Sequence, residues 1–530
     1  MTTTTPTRQP AGEKPALIIL RDGVLEVRGA PDRLKGKLRF FRKEIKLVKY
    51  RREVATRFED LYSEDPEDPK RIFTMPGFAH RVLEFFRNAG IPHEFSDMRT
   101  RMPKPDLARA FKGLRPYQVE LVGRMLTSGG GVLQAATGSG KTAISAAIVR
   151  AFDRDELADR GTPTCVFACP DRDINRKNWE EFRKWLPDRE IGLIMSGTAH
   201  KPSDDVVCCT IDSLENIDPS TVGVLIVDEM HASASSDRAG KISAFSRAAR
   251  WGVSATPTGR FDGADIVSEG LYGPIVAKFS YQDGVRSGAL VPITVYWVEA
   301  PEPTCGLDAY SKYQTRDGKI RNGWLASGDS CQMIADVLNC IPDELQTLCM
   351  LQFIEQMGRI HALCTKSAFV HAETRDAFLK AYPTLRAIKP KERKEIYDAF
   401  RKREINSIIS THCWKQGVDF PELSVVVNAG GGGSDIVAKQ VPGRASRASE
   451  GKDHAYIVDF VHSWDRVDPV GRTGRPGPLL SNDFARRKAY KDLGFEQCRV
   501  QSIAQLPFLD QALVQATPTM ERFRRGARIL

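Results

Sequence analysis

The chain has 530 residues, 41% of them apolar, and its 77 Lys and Arg against 67 Asp and Glu give a formal net charge of +10. That length exceeds one ordinary core, so two or three domains are expected, and the positive surplus suits a polyanionic partner. No stretch reaches the roughly 20 apolar residues of a membrane helix, and the eleven cysteines show no paired CxxC spacing that would complete a zinc site.

Residues 1–15, MTTTTPTRQPAGEKP, lack the apolar stretch of a signal peptide and are expected to form a disordered tail. A cytoplasmic protein with buried, reduced thiols follows from that start and from the scattered cysteines. From 16 to 60 short apolar runs alternate with basic residues (ALIIL, VLEVRG, KLRFFRKEIKLVKYRR), which predicts a small sheet with a cationic face. FAHRVLEFFRNAG, 78–90, has helical spacing and a stop at Gly90. Residues 16–105 are therefore expected to form an α+β accessory domain that binds nucleic acid.

Between 106 and 295 the runs VLQAA, TCVFACP, VVCCTI, VLIVDE and WGVSA alternate with helical patterns, the mark of a parallel sheet covered on both faces. A second set, TLCMLQF, SAFVHA, NSIISTH, LSVVVNA and HAYIVDF, predicts a second such domain over 296–465, and 466–530 remain as a C-terminal extension. AGGGGS at 429–434 lies between a strand and a helix-like run, so it reads as a ligand-side loop with Ser434 as a helix cap.

The chemistry starts at VLQAATGSGKTAISAAIV, 132–149, which reads as strand, loop and helix. Gly138 and Gly140 let the loop turn its N–H groups onto a phosphate, Lys141 supplies a point charge to the β- and γ-phosphates, and Thr142 offers a hydroxyl to Mg²⁺. The first position of the usual pattern holds Ala135 instead of Gly. In VLIVDEMH, 224–231, a buried strand delivers Asp228 and Glu229 to the carboxyl edge of the sheet. There Asp228 would serve the Mg²⁺ shell and Glu229 would deprotonate an attacking water, with His231 close by. Arg444 and Arg447, three apart, share a helix face, and a planar guanidinium suits the charge on a transferring phosphoryl group.

AATGSGKT, VDEMH and SATPT (254–258), in that order, resemble motifs I, II and III of the superfamily 2 helicases. LRPYQVELV, 114–122, is similar to the adenine-reading segment before motif I, which implies that role for Gln118 with Arg115 nearby. The resemblance makes Thr137, Gly138, Ser139, Gly140, Lys141 and Thr142 the nucleotide loop, with Lys141, Asp228, Glu229, Arg444 and Arg447 catalytic and Thr142 and Asp228 on the metal. It makes Ser254 and Thr256, with His231, couplers between the ATP state and the grip on the strand. CPDRDINRKNW (169–179) and CTIDSL (209–214) resemble motifs Ia and Ib, which touch the nucleic-acid backbone. TLCMLQF resembles motif IV, and ISTHCWKQGVDFPEL (409–423) resembles motif V, with Gly417 and Asp419 facing the nucleotide. QVPGRASR (440–447) resembles motif VI, with Gln440 as a further coupler; Val441 and Pro442 depart from the family pattern.

The resemblance implies an α/β protein with two tandem RecA-like parallel-sheet domains, a small N-terminal α+β accessory domain and a short C-terminal helical extension. It also implies ATP and Mg²⁺ as cofactors and a monomer that works on nucleic acid away from membranes. VDEMH, GALVPITVYWV (288–298), NAGGGGSDIVAKQ (428–440) and RRKAYKDLGF (486–495) look like the branch holding UvsW-like phage helicases and XPB-like DNA translocases. That branch implies DNA as the partner, branched or forked, or an R-loop. An RNA helicase, or the motor of a restriction or defence assembly, is the second reading. A non-catalytic clamp is a third, against which the intact Lys141, Asp228, Glu229, Arg444 and Arg447 stand. Further candidate nucleic-acid contacts are Trp179, Trp185, Trp251 and Trp414, the basic 33–57 segment, and Arg486, Arg487 and Lys491.

Overall fold

A computed structural model describes residues 15–48, 51–195, 204–260, 262–364, 366–371, 380–383, 385–411, 420, 422–432, 442–465 and 476–516, and all their side chains except those at 45–54, 442, 444 and 516. The chain divides into two units, Met1–Ala135 with Gly140–Phe279, and Ala136–Ser139 with Ser280–Leu530.

In the first unit the apolar run Ala16–Arg21 (β1) turns through Asp22 and Gly23 into Val24–Arg28 (β2). Tyr62–Glu64 (β5), Arg71–Thr74 (β6) and His93–Asp97 (β7) complete a five-stranded sheet in the order β5-β6-β2-β1-β7. The helix Ala79–Ala89 packs on it through Val82 and Phe86 and stops at Gly90 in the left-handed conformation, as its sequence predicts. The basic segment does not join this sheet. Arg39–Val48 (β3) and Arg51–Asp60 (β4) pair only with each other, as a ribbon of ten residues a side.

The larger sheet of this unit is wholly parallel. Its strands are Gly131–Ala135 (β8), Thr164–Cys169 (β9), Ile191–Leu193 (β10), Val206–Thr210 (β11), Val222–Asp228 (β12), Ala249–Ser254 (β13) and Ile275–Phe279 (β14), in the order β10-β11-β9-β12-β13-β8-β14. Continuous apolar runs form these strands because both faces are covered. β13 lies between β12 and β8, so the carboxyl ends of three motif-bearing strands lie side by side.

The second unit repeats the design with Ile293–Glu299 (β15), Thr347–Met350 (β16), Ala368–Val370 (β17), Ser407–Ser410 (β18), Val425–Asn428 (β19), Ala455–Val461 (β20) and Glu496–Val500 (β21), ordered β17-β18-β16-β19-β20-β15-β21 and parallel throughout. Two apolar clusters line this sheet, one around Trp324 and Phe460, the other around Trp297, Phe400 and Tyr490. The chain passes into this unit at Phe279/Ser280, ahead of the expected 295/296, because β15 is one of its inner strands. The extension also differs from expectation: β21 is the edge strand beside β15, and the helix Pro478–Leu493 leads into it.

Candidate active site

The loop after β8 turns through Gly138 and Gly140, at φ +87° and +77°. A Cβ at Gly140 would collide with Nε2 of Gln118, so the nucleotide loop lies directly against the amide read as the adenine sensor. Gln118 is buried in the helix Pro116–Ser128 and its Oε1 accepts the Arg115 N–H at 3.0 Å. The preceding Tyr117 stacks on Phe279, with ring centroids 4.3 Å apart, and braces that helix against β14.

Helix Lys141–Arg150 begins at the first residue after the loop, two residues ahead of the apolar pattern that announces it, and points its N-terminus at the loop. Lys141 Nζ lies 3.5 Å from the Ala135 carbonyl. Thr142 donates its hydroxyl to Oδ1 of Asn178 at 3.2 Å, a partner on the helix Arg172–Trp185 that sequence reasoning missed.

Asp228 ends β12. Burial, and then the neighbouring Glu229 carboxylate, push it up to about 7 against the opposing pull of Lys141. A half-buried carboxylate pair of this kind is relieved by a cation, and the Thr142 hydroxyl with the Asp228 carboxylate are the hard oxygen donors that Mg²⁺ takes. Among the described residues no group of three or more His, Cys, Asp or Glu forms a metal cage.

Glu229 adopts φ 47° and ψ 47°, a left-handed conformation that side chains rarely take. The turn brings its carboxylate to Ser254, whose hydroxyl donates to Oε2 at 3.2 Å and accepts the Thr256 N–H at 3.0 Å. His231 Nδ1 lies 3.1 Å from the same hydroxyl and 3.4 Å from Glu229. With the serine proton directed to Glu229, Nδ1 is the nitrogen that carries the hydrogen in the neutral ring; burial lowers the His231 pKa. Asp228, Glu229, His231, Ser254 and Thr256 thus form one cluster at the ends of adjacent strands. Arg260 joins it by donating to the His231 carbonyl at 2.7 Å. It lies in the polar loop after SATPT, where its charge among Asp262 and Asp265 was the one available signal.

In the second unit Arg447 forms an antiparallel bridge with Leu290, and burial lowers its pKa. Arg444 lies in the short helix Pro442–Ala445, but its side chain is outside the described part. Gly417, Asp419, Gln440, Trp414 and Ser434 lie outside the described residues.

The nucleic-acid candidates separate. Trp251 is fully buried and donates its indole N–H to the Met125 carbonyl, so it is core. Trp179 is half-buried and donates to the Ile191 carbonyl, with the Arg183 guanidinium 4.8 Å from its ring. Arg486 is 2% exposed and bound to Asp459 and Asp483, so it cannot reach a nucleic-acid backbone. Arg487 stacks on Trp297 at 4.8 Å.

Two parallel sheets of RecA type in one chain, the first with the strand that leads into the phosphate loop and the acidic strand end flanking β13, define a tandem nucleotide-hydrolase fold. Residues 111–259 match the family described as Type III restriction enzyme, res subunit, and residues 332–449 match the helicase conserved C-terminal domain. The chain belongs to the superfamily 2 helicases.

It is 26% identical over 398 residues to the DNA 3'-5' helicase XPB of Kineococcus radiotolerans, covering 72% of this chain and 65% of that one. It is 26% identical over 380 residues to the DNA 3'-5' translocase XPB2 of Sulfurisphaera tokodaii, covering 66% and 81%. A protein of a Sulfolobus islandicus filamentous virus is 25% identical over 388 residues, again with 65% of the relative covered. Several of these matches therefore leave a third or more of the relative outside the alignment. Among solved structures, S. cerevisiae Dbp5 bound to RNA and ADP BeF3 has a TM-score of 0.50 at 14% identity, covering 77% of this chain and 99% of that one. Among the described residues no helix is long and apolar enough to cross a membrane.

Proposed function

We propose that the chain is an ATP-driven DNA helicase or translocase that remodels branched DNA or R-loops in replication, recombination or repair. The observation that carries this reading is the cluster of Asp228, Glu229, His231, Ser254 and Thr256, joined by hydrogen bonds across β12 and β13, with Lys141 close enough to Asp228 to act on its charge. DNA as the partner is supported by the XPB-type relatives and by the positive charge of the chain.

In the proposed cycle Gln118 and Arg115 select the base, while Lys141 and the N-terminus of its helix hold the β- and γ-phosphates. Mg²⁺ held by Thr142 and Asp228 would draw charge from the phosphoryl oxygens. Glu229 takes a proton from the water as its oxygen bonds to the γ-phosphorus, and the bond to the β,γ-bridging oxygen breaks to release ADP. Arg444 and Arg447 offset the charge that develops on the phosphoryl group. Ser254 and Thr256 pass the state of Glu229 onward.

The test is steady-state ATP hydrolysis with no nucleic acid, single-stranded DNA, duplex DNA, a forked or four-way DNA, and RNA, with Lys141→Ala as the inactive control. Branched DNA should stimulate more than linear DNA. Stimulation by RNA alone would replace DNA by RNA as the substrate. The match to a restriction-enzyme subunit favours one second reading, a motor that serves a partner protein. Stimulation only in the presence of that partner would support it.

A further inference from the structure

The strand that brings Ser254 into the hydrolysis cluster holds a buried arginine near its other end. Arg250 stands opposite Leu225 of β12 and is 8% exposed. Among the described residues its guanidinium has no carboxylate or hydrogen-bond partner. Burial pushes its pKa down to about 10; Tyr272 opposes that, and the charge of Arg99 adds to it. Tyr272 brings no counter-charge at neutral pH, because its own burial raises its phenol pKa. Arg250 therefore stays protonated, and a guanidinium buried this deeply is costly unless an anion meets it.

Further arginines gather beside it. Arg247, three residues earlier, donates to the Arg160 carbonyl at 2.8 Å. Arg160 donates to the Thr100 carbonyl at 3.3 Å and reaches Sδ of Met102 at 3.0 Å. Burial and then the charge of Arg247 lower the Arg160 pKa, with Asp22 pulling the other way. That aspartate is already engaged, since it accepts the Thr100 N–H at 2.9 Å and the Thr100 hydroxyl. Of these four arginines only Arg99 forms an ion pair among the described residues, with Asp97 at 2.9 and 2.6 Å.

All of them meet at one joint. Gly23, in the turn after β1, comes so close to Ser246 that a Cβ there would lie 2.7 Å from the serine Cβ, which sets the N-terminal sheet against the residue before Arg247. Thr100, held by both Asp22 and Arg160, ties the segment after β7 into the same place. The joint thus holds four guanidinium groups against two carboxylates, and each carboxylate already has a partner. It lies away from the hydrolysis cluster, because the four residues from Arg250 to Ser254 span about 13 Å of strand. Planar guanidinium groups with donors to spare match a compact anion that presents several acceptor oxygens.

We propose that Arg99, Arg160, Arg247 and Arg250 form a second phosphate site, at the joint between the N-terminal sheet and the amino edge of the larger sheet. The phosphate belongs either to a free ion or to a nucleic-acid backbone, which present the same oxygens. The site goes beyond the hydrolysis of ATP and stands whether or not the chain is a DNA motor.

The test uses the full chain with Mg²⁺ and a saturating non-hydrolysable ATP analogue, so that the phosphate loop is filled. Thermal unfolding is compared in inorganic phosphate and in sodium chloride of equal ionic strength. The wild-type midpoint should lie about 2–4 °C higher in phosphate. Arg250→Gln should lose that rise. Arg247→Gln, at a half-buried position, should lose at least half of it, and it decides the question if Arg250→Gln fails to fold. Equal wild-type midpoints in the two salts overturn the site. So does a full rise retained in these variants, including an Arg250→Gln midpoint that falls equally in both salts, which would mark the arginine as structural. Anisotropy of labelled single-stranded and duplex DNA then separates the two sources. A loss of DNA affinity of at least about fivefold in Arg250→Gln, with the salt slope reduced by about one, assigns a backbone phosphate. Unchanged DNA affinity beside a lost phosphate response assigns a free phosphate.

Discussion

At the residue scale the site turns on one hydroxyl. Ser254 is fully buried and is shared among the Glu229 carboxylate, the His231 ring and the Thr256 N–H. A hydrogen bond to a charged group is worth about 1.5–3 kcal/mol, so Ser254→Ala should leave Glu229 poorly held in its left-handed turn and lower kcat for ATP about 10- to 100-fold. Because the contacts of the serine are with Glu229, His231 and the Thr256 N–H, it is a positioning residue and KM for ATP should stay within about twofold of wild type; a KM that rises while kcat holds would assign it to binding instead. Glu229→Gln gives the complementary result. The amide cannot accept the proton of water, so ATP should bind and remain uncleaved, as rapid-quench analysis of bound nucleotide would record. Turnover close to wild type in that variant would remove Glu229 from the role of base.

At the element scale the second sheet depends on a buried ionic knot where the sequence reads as a basic helix. Arg486 of Pro478–Leu493 lies 3.0 Å from Asp459 of β20 and 2.9 Å from Asp483, and its remaining N–H groups donate to the Gly432 and Phe460 carbonyls. Asp483 also accepts the His462 N–H at 2.7 Å, and Asp459 accepts from the Tyr490 hydroxyl at 2.9 Å. Arg486→Leu would strand two buried carboxylates, a loss of about 3–5 kcal/mol. Urea unfolding of that variant should show a clearly lower midpoint, whereas Lys491→Leu, at an exposed site, should leave it nearly unchanged. The same helix shows where sequence reasoning stops. Arg486 and its neighbour Asp483, three residues before it, are visible, but the partners Asp459 and Phe460 come from β20 and Gly432 from a distant loop, and no local pattern records that. Inner strands such as β12 and β11 were legible for the opposite reason, since their apolar runs, VLIV and VVCC, are unbroken. The edge strands Ile191–Leu193 and Glu496–Val500 are short or polar and give no such signal. In the same way Asp228 and Glu229 were found because an apolar strand end announces them, and Ser254 through its motif, while Arg260 and Asp262 sit in a loop whose links to His231 and Lys43 are tertiary.

At the scale of the whole molecule, the N-terminal region is locked to the first parallel sheet by a half-buried ion pair. Arg81 donates from Nε and Nη2 to the two oxygens of Glu269, at 2.9 and 2.5 Å, and His80 Nε2 lies 3.1 Å from Oε1. Gly77 lies so close to the helix Asp265–Tyr272 that a Cβ there would collide with the Glu269 carbonyl, so this interface leaves no room for slack. Burial would raise the Glu269 pKa, but the hydrogen bonds from His80 and Arg81 outweigh it and hold the carboxyl down to about 2. A carboxyl whose pKa is depressed in the folded state binds fewer protons there than in the unfolded chain. Its contribution is therefore complete above the ordinary value of 4.5 and disappears as pH falls toward 2. Glu269→Gln should accordingly lower the stability of this unit by about 1–3 kcal/mol at pH 7. The gap between variant and wild type in urea unfolding should narrow steadily below pH 4.5 as the native glutamate loses its charge. A gap of constant size across that range would mean that the glutamate acts through its shape, with its charge immaterial to the joint. A gap that closes would establish the charge of Glu269 as a fastening between the helix Ala79–Ala89 and the helix Asp265–Tyr272.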